Sequence, residues 1–248
     1  MNVGTVDDLF TRELRDDRTG LVDATGREYD YHWLCTSSWK AGNFLRHSGV
    51  REGVTVGVVG DGPFALLAFF GTTLLEGTTR FDPPMNLAEV DDFRALVAPV
   101  ESLENFELPR GAQRIGYGTR PDAPDVHHFD AGLWSENPSF PPLSTDPETV
   151  LLTDGDRTVT HREVLDETRR IIEEAGLEAN DRVVVRAPLS DLRTVVAGVI
   201  APLLAGGGIV LSGNDSETDP EAKRGAYAVS SESVPEPNRI DPDSVSLP

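Results

Sequence analysis

Short apolar runs alternate with helix-like stretches along most of this chain, and that alternation constrains its fold more than any other feature. Residues 54–59 are valine-rich and too short for a helix, which suits a parallel strand covered on both faces. After the turn Gly60-Asp61-Gly62, Pro63 suits the first position of a helix, and the apolar stretch 64–75 extends it to a stop at Gly77. Residues 78–81 then read as a second strand that Asp82-Pro83-Pro84 breaks, 87–93 as a helical turn or two, and 95–100 as a third strand. Upstream, Leu21-Val22 and 27–29 flank the turn Asp23-Ala24-Thr25-Gly26 as a hairpin, and Asp30 caps a helix that runs to about His47.

The same order returns later. Thr160 with Glu163 forms a capping box that opens a helix to about Ala175, with Val164, Ile171 and Ile172 on its apolar side and Gly176 at its end. Residues 182–186 give a strand, Ser190 caps a helix to Ala205 that Pro202 kinks, and 208–211 give another strand. Gly49 aligns with Gly176 and Gly77 with Gly206, so the halves read as two related lobes of mostly parallel sheet flanked by helices, an α/β class. The expected division is a lobe over 1–109, a Pro/Gly-rich connector over 110–147 with at most one strand, a second lobe over 148–212, and an acidic, partly mobile tail over 213–248.

Charge limits the partners. The 248 residues hold 42 Asp plus Glu against 22 Lys plus Arg, for a net charge of −20, a field that repels nucleic acid and anionic membranes. Lys40 and Lys223 are the only lysines, and this Lys-poor, Asp-rich balance looks like adaptation to high salt. Cys35 has no second thiol, and residues 1–17 do not follow the basic-then-apolar order of a secretion signal, so a cytoplasmic location is expected. Pro202 and the triplet 206–208 split the longest apolar run, which reads as buried core and not as a membrane span.

Two turns carry possible chemistry. Gly60-Asp61-Gly62-Pro63-Phe64-Ala65 matches G-x-G-x-x-A between strand and helix, with Asp82 at the end of the next strand; a tight strand-to-helix turn explains it better than a dinucleotide pyrophosphate does, which is kept as the minor reading. The second is Thr153-Asp154-Gly155-Asp156-Arg157-Thr158-Val159-Thr160-His161. His127 and His128 between Asp125 and Asp130 supply metal-ligand types, but neighbours on an extended segment point to opposite sides, so no metal site is expected. His161 reads as a cap or packing residue, and no Gly-x-Ser-x-Gly nucleophile elbow occurs.

The second turn resembles the adenylate-forming superfamily of acyl-CoA synthetases, aryl-CoA ligases, luciferases and peptide-synthetase adenylation domains. In that family a strand enters a Thr-Ser-Gly-Thr-Thr-Gly-x-Pro-Lys-Gly loop and a Thr-His pair opens a helix; here 150–153 match the entry and Thr160-His161 the exit. Leu21-Val22-Asp23, Gly26-Arg27 and Tyr29-Asp30-Tyr31 look like its N-terminal hairpin. Residues 48–56 look like its "alG(v)xxGdrV" segment and Leu75-Glu76-Gly77 to Asp82-Pro83 like "kaGavyvpldp". The likeness covers about residues 5–211 and implies the front subdomains of the adenylate-forming fold.

The departures bear on function. Thr153 to His161 is only nine residues, shorter than the family's pattern, with Asp154 and Asp156 where a lysine-bearing phosphate cradle belongs. The family's nucleotide- and metal-binding Thr-Glu segment, ribose-binding Asp, hinge and C-terminal-domain lysine have no counterpart. Thr153, Gly155 and Thr158 are thus expected to be a vestigial nucleotide loop, with no catalytic residue and no resident cofactor. The expected function is a degenerate, non-catalytic acyl-CoA synthetase-like protein that binds, regulates or supports a partner, either a complete synthetase or a second copy. The alternatives are a ligase subunit completed in trans that keeps ATP, AMP or CoA binding, or a small NAD(P)-binding module using Gly60, Gly62 and Asp82.

Overall fold

A computed structural model describes residues 3–141, 144–212 and 224–248. The chain divides into two compact units, one of residues 36–158 and one of 1–35 with 159–248. Each is α/β, with a mostly parallel sheet and flanking helices.

In the unit 36–158, the strands are β3 (Thr55–Val58), β4 (Thr78–Phe81), β5 (Phe93–Pro99), β6 (Gln113–Tyr117), β7 (Val126–His128) and β8 (Val150–Thr153), where β1 and β2 are the hairpin strands described below. They line up as β7-β6-β5-β3-β4-β8, all parallel, and β9 (Thr158–Thr160) closes the sheet beyond β8. β3 is buried at every position because both faces are covered, which explains its unbroken apolar run. Helix α1 (Tyr31–His47) passes into this unit after Cys35, and α2 (Pro63–Thr73) begins on Pro63 as read from the sequence. The two helices meet at Gly71, where a Cβ would stand 2.8 Å from the α1 backbone at Ala41 and Gly42.

The other unit orders its sheet β13-β12-β10-β11-β1-β2, from β1 (Thr19–Val22), β2 (Glu28–Asp30), β10 (Arg182–Val185), β11 (Gly208–Leu211), β12 (Tyr227–Val229) and β13 (Asn238–Ile240). The hairpin is antiparallel; the other pairings are parallel. Helix α4 (His161–Ala175) has the capping box read from Thr160 and Glu163, and Gly176 closes it by donating to the Ile172 carbonyl. Tyr31 is buried and donates its hydroxyl to the Gly207 carbonyl at 2.6 Å, tying the start of α1 to the turn before β11.

Several expectations are corrected. The hairpin pairs with β11 (Leu21↔Ile209, Val22↔Val210), so residues 1–109 do not form one lobe. The expected connector 110–147 supplies β6, β7 and helix α3 (Phe129–Ser135), anchored by the fully buried Ile115 and Phe129. Residues 224–248 extend the other sheet through β12 and β13, with the Arg186 guanidinium donating to the buried Glu236 carboxylate; 213–223 of the expected tail lie outside the described residues. Residues 87–92 form turns and no helix, and Leu87 joins Phe93, the first residue of β5, in one apolar cluster with Leu96 and Phe106. Asp191, not Ser190, caps α5 (Leu192–Val195) by accepting from the Arg193 N–H. A π-helical turn over Val196–Ile200 joins α5 to α6 (Ala201–Ala205), because Pro202 has no N–H for the regular ladder.

Gly71→Ala is expected to destabilise the protein by about 1–3 kcal/mol, the range for overpacking a closed contact. Gly62→Ser, with nothing within 4 Å of its Cβ position, should stay within about 0.5 kcal/mol of the parent. Denaturant unfolding of both variants measures the difference.

Candidate functional site

The turn between β8 and β9 is built by its own hydrogen bonds. The Asp156 and Arg157 N–H groups both donate to Asp154 Oδ1, at 2.9 and 2.8 Å. The Gly155 N–H donates to Thr153 Oγ1 at 3.0 Å, that hydroxyl donates to the Arg157 carbonyl at 2.7 Å, and the Asp154 N–H donates to the same carbonyl at 3.3 Å. The Arg157 guanidinium adds Nε and Nη2 to Asp154 Oδ2, at 3.0 and 2.9 Å. All four backbone donors of residues 154–157 are therefore committed within the turn. Partial burial raises the Asp154 carboxyl, but the Arg157 and Asp156 N–H groups and the Arg157 charge outweigh it and hold the group below the usual carboxylate range.

Gly155 has φ +102°, a conformation that favours glycine, and a Cβ there would overlap the Arg80 guanidinium. Arg80 is half-buried on β4, and its guanidinium has neither a carboxylate partner nor a hydrogen bond among the described residues.

Beside the turn lies an open cavity of about 370 Å³ within the unit 36–158. Thr153 and Thr158 reach its lining; Gly155 does not. Thr55, Thr78 and Thr149 supply further hydroxyls, while Glu52, Glu76 and Asp92 supply carboxylates, with Asp92 accepting from Thr55 Oγ1 at 2.7 Å. The cavity therefore offers an anion carboxylates and hydroxyls but no cation from its lining. Sequence reasoning missed these three acids and Arg80. Glu52 and Glu76 each stand just before a strand, and the signal that joins them is the parallel neighbourhood of β3 and β4, which local pattern does not reveal.

The other candidate residues have the following surroundings. A Cβ at Gly60 would overlap the Tyr117 hydroxyl, which donates to the Val59 carbonyl at 2.6 Å. Asp82 turns back on the same loop, accepting from the Gly60 N–H at a long 3.4 Å. Gly60 thus answers to Tyr117, and Gly62 faces no neighbour within 4 Å. His127 Nε2 lies 3.1 Å from Gln113 Oε1 and His128 Nε2 lies 3.3 Å from Asp130, and the described residues contain no group of three or more ligand side chains able to hold a metal. Cys35 is buried, which pushes its thiol up to about 12 and leaves it unreactive.

His161 is fully buried, and its Nδ1 accepts from the Val6 N–H at 3.0 Å, pinning the N-terminal 3-10 turn Val6–Phe10 to α4. That bond requires the neutral ring with its proton on Nε2, which has no partner among the described residues. Burial pushes the imidazole down to about 4, and the Asp8 charge only partly opposes it.

No protein-family model and no curated protein matches the sequence. Solved structures do match its fold. The anthranilate CoA ligase AuaEII, in complex with anthranoyl-AMP, superposes with a TM-score of 0.76 at 17% identity over 91% of this chain and 49% of its own. A benzoate CoA ligase from Burkholderia xenovorans LB400 gives 0.73 at 18% identity over 91% and 50%. The N-terminal domain of FACL13 from Mycobacterium tuberculosis gives 0.72 at 13% over 93% and 63%. The chain spans about half the length of the two ligases. No described helix is long and apolar enough to cross a membrane.

Because the folded-state value of His161 lies below the ordinary 6.5, the unfolded chain binds the extra proton first as pH falls. The contribution of His161 is complete above pH 6.5 and is lost as pH drops toward 4, by up to roughly 3 kcal/mol. Unfolding free energies of the parent and of His161→Asn across that window should converge as pH falls; parallel curves would contradict the assignment.

Proposed function

We propose that this chain, built on the fold of the N-terminal part of adenylate-forming ligases, is a non-catalytic relative of those enzymes that serves as a binding, regulatory or accessory subunit. The observation that carries this reading is the closed turn at 153–158. A triphosphate is held by backbone N–H groups, hydroxyls and a lysine that converge on its oxygens. In this turn the N–H groups and the Arg157 guanidinium already converge on Asp154, and the turn has no lysine. The carboxylates of Glu52, Glu76 and Asp92 around the adjoining cavity oppose an anion further. In this reading Thr153 and Gly155 keep the turn's shape, Thr158 lines the adjoining cavity, and none of the three serves as a ligand to a nucleotide.

A protein of this kind acts through a partner, and in this reading the partner is a complete synthetase or a second copy of the chain. The net charge of −20 argues against a polyanionic partner. A cytoplasmic location and a high-salt setting belong to the same proposal, in keeping with the single buried cysteine and the scarcity of lysine.

Calorimetric titration with ATP, AMP and an acyl-CoA should be flat, and NAD(P) should leave the melting temperature unchanged. Saturable nucleotide or acyl-CoA binding at millimolar strength or tighter would replace this reading with a ligase subunit completed in trans. Light scattering in high salt should report a dimer, or pull-down from the native extract a synthetase; a monomer with neither would remove the accessory role.

A further inference from the structure

Residues 3–10 are fastened to α4 without joining a strand. Val3, Val6, Leu9 and Phe10 are buried, and two hydrogen bonds tie the segment to the helix: the Val6 N–H donates to His161 Nδ1 at 3.0 Å, and Arg169 Nη2 donates to the Val3 carbonyl at 2.6 Å. The next turn, Arg12–Leu14, contains no buried residue. The chain is held again from Asp16, whose carbonyl accepts from the His32 N–H at 3.1 Å, and from Arg18, whose Nη1 donates to the Gly206 carbonyl at 2.8 Å. Residues 11–15 thus separate two anchorages, one on α4 and one on the sheet.

The anchorage on α4 tolerates one protonation state of His161. A neutral imidazole offers a single acceptor, and here it is Nδ1; a protonated ring carries N–H at both nitrogens, so Nδ1 would then meet the Val6 N–H donor to donor. The ring is fully buried, and Nε2 has no partner among the described residues, so nothing on that side compensates an added charge. The carboxylates that face the ring belong to the segment itself. Asp7 Oδ1 lies 3.9 Å from Nδ1, and Asp8 acts from the same turn while accepting from the Gly4 and Thr5 N–H groups at 2.8 and 3.1 Å. On α4, Glu163 accepts from the Thr160 N–H and hydroxyl at 2.8 and 3.0 Å, and Arg162 is exposed. Withdrawal of the segment removes the opposing N–H and admits water to the ring in one step.

We propose that residues 3–10 are an acid-released clasp: protonation of His161 replaces the acceptor of the Val6 N–H by a second donor, and the segment leaves α4 ahead of any opening of the sheet, uncovering Val3, Val6, Leu9 and Phe10. The device is separate from the turn 153–158 and holds whether or not that turn takes a nucleotide. It goes beyond a pH-dependent loss of overall stability by assigning the first opening to one segment. Burial holds the folded-state value near 4, below the ordinary 6.5, so the open form takes the proton first and opening grows as pH falls below 6.5.

Amide hydrogen exchange of the full chain, followed by NMR and expressed as protection at each pH, tests this. Val6, Leu9 and Phe10 should share a protection about tenfold or more below that of Val184 and Ile209 in the sheet, with little dependence on dilute denaturant. That protection should fall about twentyfold between about pH 7 and about pH 5, a window above the ordinary carboxylate range. His161→Asn, which keeps an acceptor that no proton removes in this window, should abolish the fall. Arg169→Gln should lower the protection of all three amides by a common factor at every pH and leave the fall intact. The proposal is overturned if the three amides share the protection of Val184 and Ile209, if Val6 alone loses protection, as when Asp7 receives the charged ring in place, or if the fall persists in His161→Asn. Should His161→Asn fail to fold, Arg169→Gln decides the matter, since a clasp requires residues 3–10 to loosen ahead of the strands with the parent's pH dependence, and any other result overturns it.

Discussion

The seating of Asp154 on its own turn decides what this part of the molecule can hold. A backbone N–H has one proton to give, and at residues 156 and 157 it is given to the same carboxylate oxygen. An incoming phosphate must displace that carboxylate or sit beside it. Like unit charges 4 Å apart repel by about 1 kcal/mol in water and about 4 kcal/mol near a protein surface, comparable to what one or two charge-assisted hydrogen bonds return. The balance is close enough for a single side chain to tip it. The carboxylates at 52, 76 and 92 around the adjoining cavity push in the same direction.

Much of the fold was legible in the sequence where local chemistry sets the conformation. Pro63 at the start of α2, the Thr160–Glu163 box at the start of α4 and Asp30 accepting from the Trp33 N–H are short-range devices whose partners lie within a few residues. The strands were legible because parallel strands covered on both faces read as continuous apolar runs, as β3 and β11 do. The shortened turn was legible too, since its length and its acids are written in the sequence.

What escaped depends on pairing across long separations. Nothing local in Leu21-Val22 says that these residues lie beside Ile209 and Val210, so the hairpin was grouped with its neighbours in sequence. The segment 110–147 reads as a connector because Pro, Gly and Asp dominate it, yet a few apolar residues such as Ile115 and Phe129 suffice to seat it against β5 and its helices. Near the C-terminus, β13 is exposed at two of its three positions, and its place in the sheet comes from backbone pairing to β12. In the site, Arg80 was invisible for the same reason: its relation to Gly155 exists only because β4 and β8 are neighbours.

Residues at the two ends of the turn are fixed by packing while those inside it are not. Leu151 and Leu152 on the entry strand are fully buried, so their replacement would open the core. On the exit side, Thr160 caps α4 and His161 holds the Val6 N–H from a fully buried position. The residues from Gly155 to Thr158 are exposed; Gly155, Asp156 and Arg157 are held by hydrogen bonds to Thr153 and Asp154, and Gly155 lies against Arg80. A fold can therefore keep both ends of this segment for stability while the exposed residues between them are free to change in length and charge. Resemblance at the ends reports the architecture; the charges inside the turn are where the chemistry has to be read.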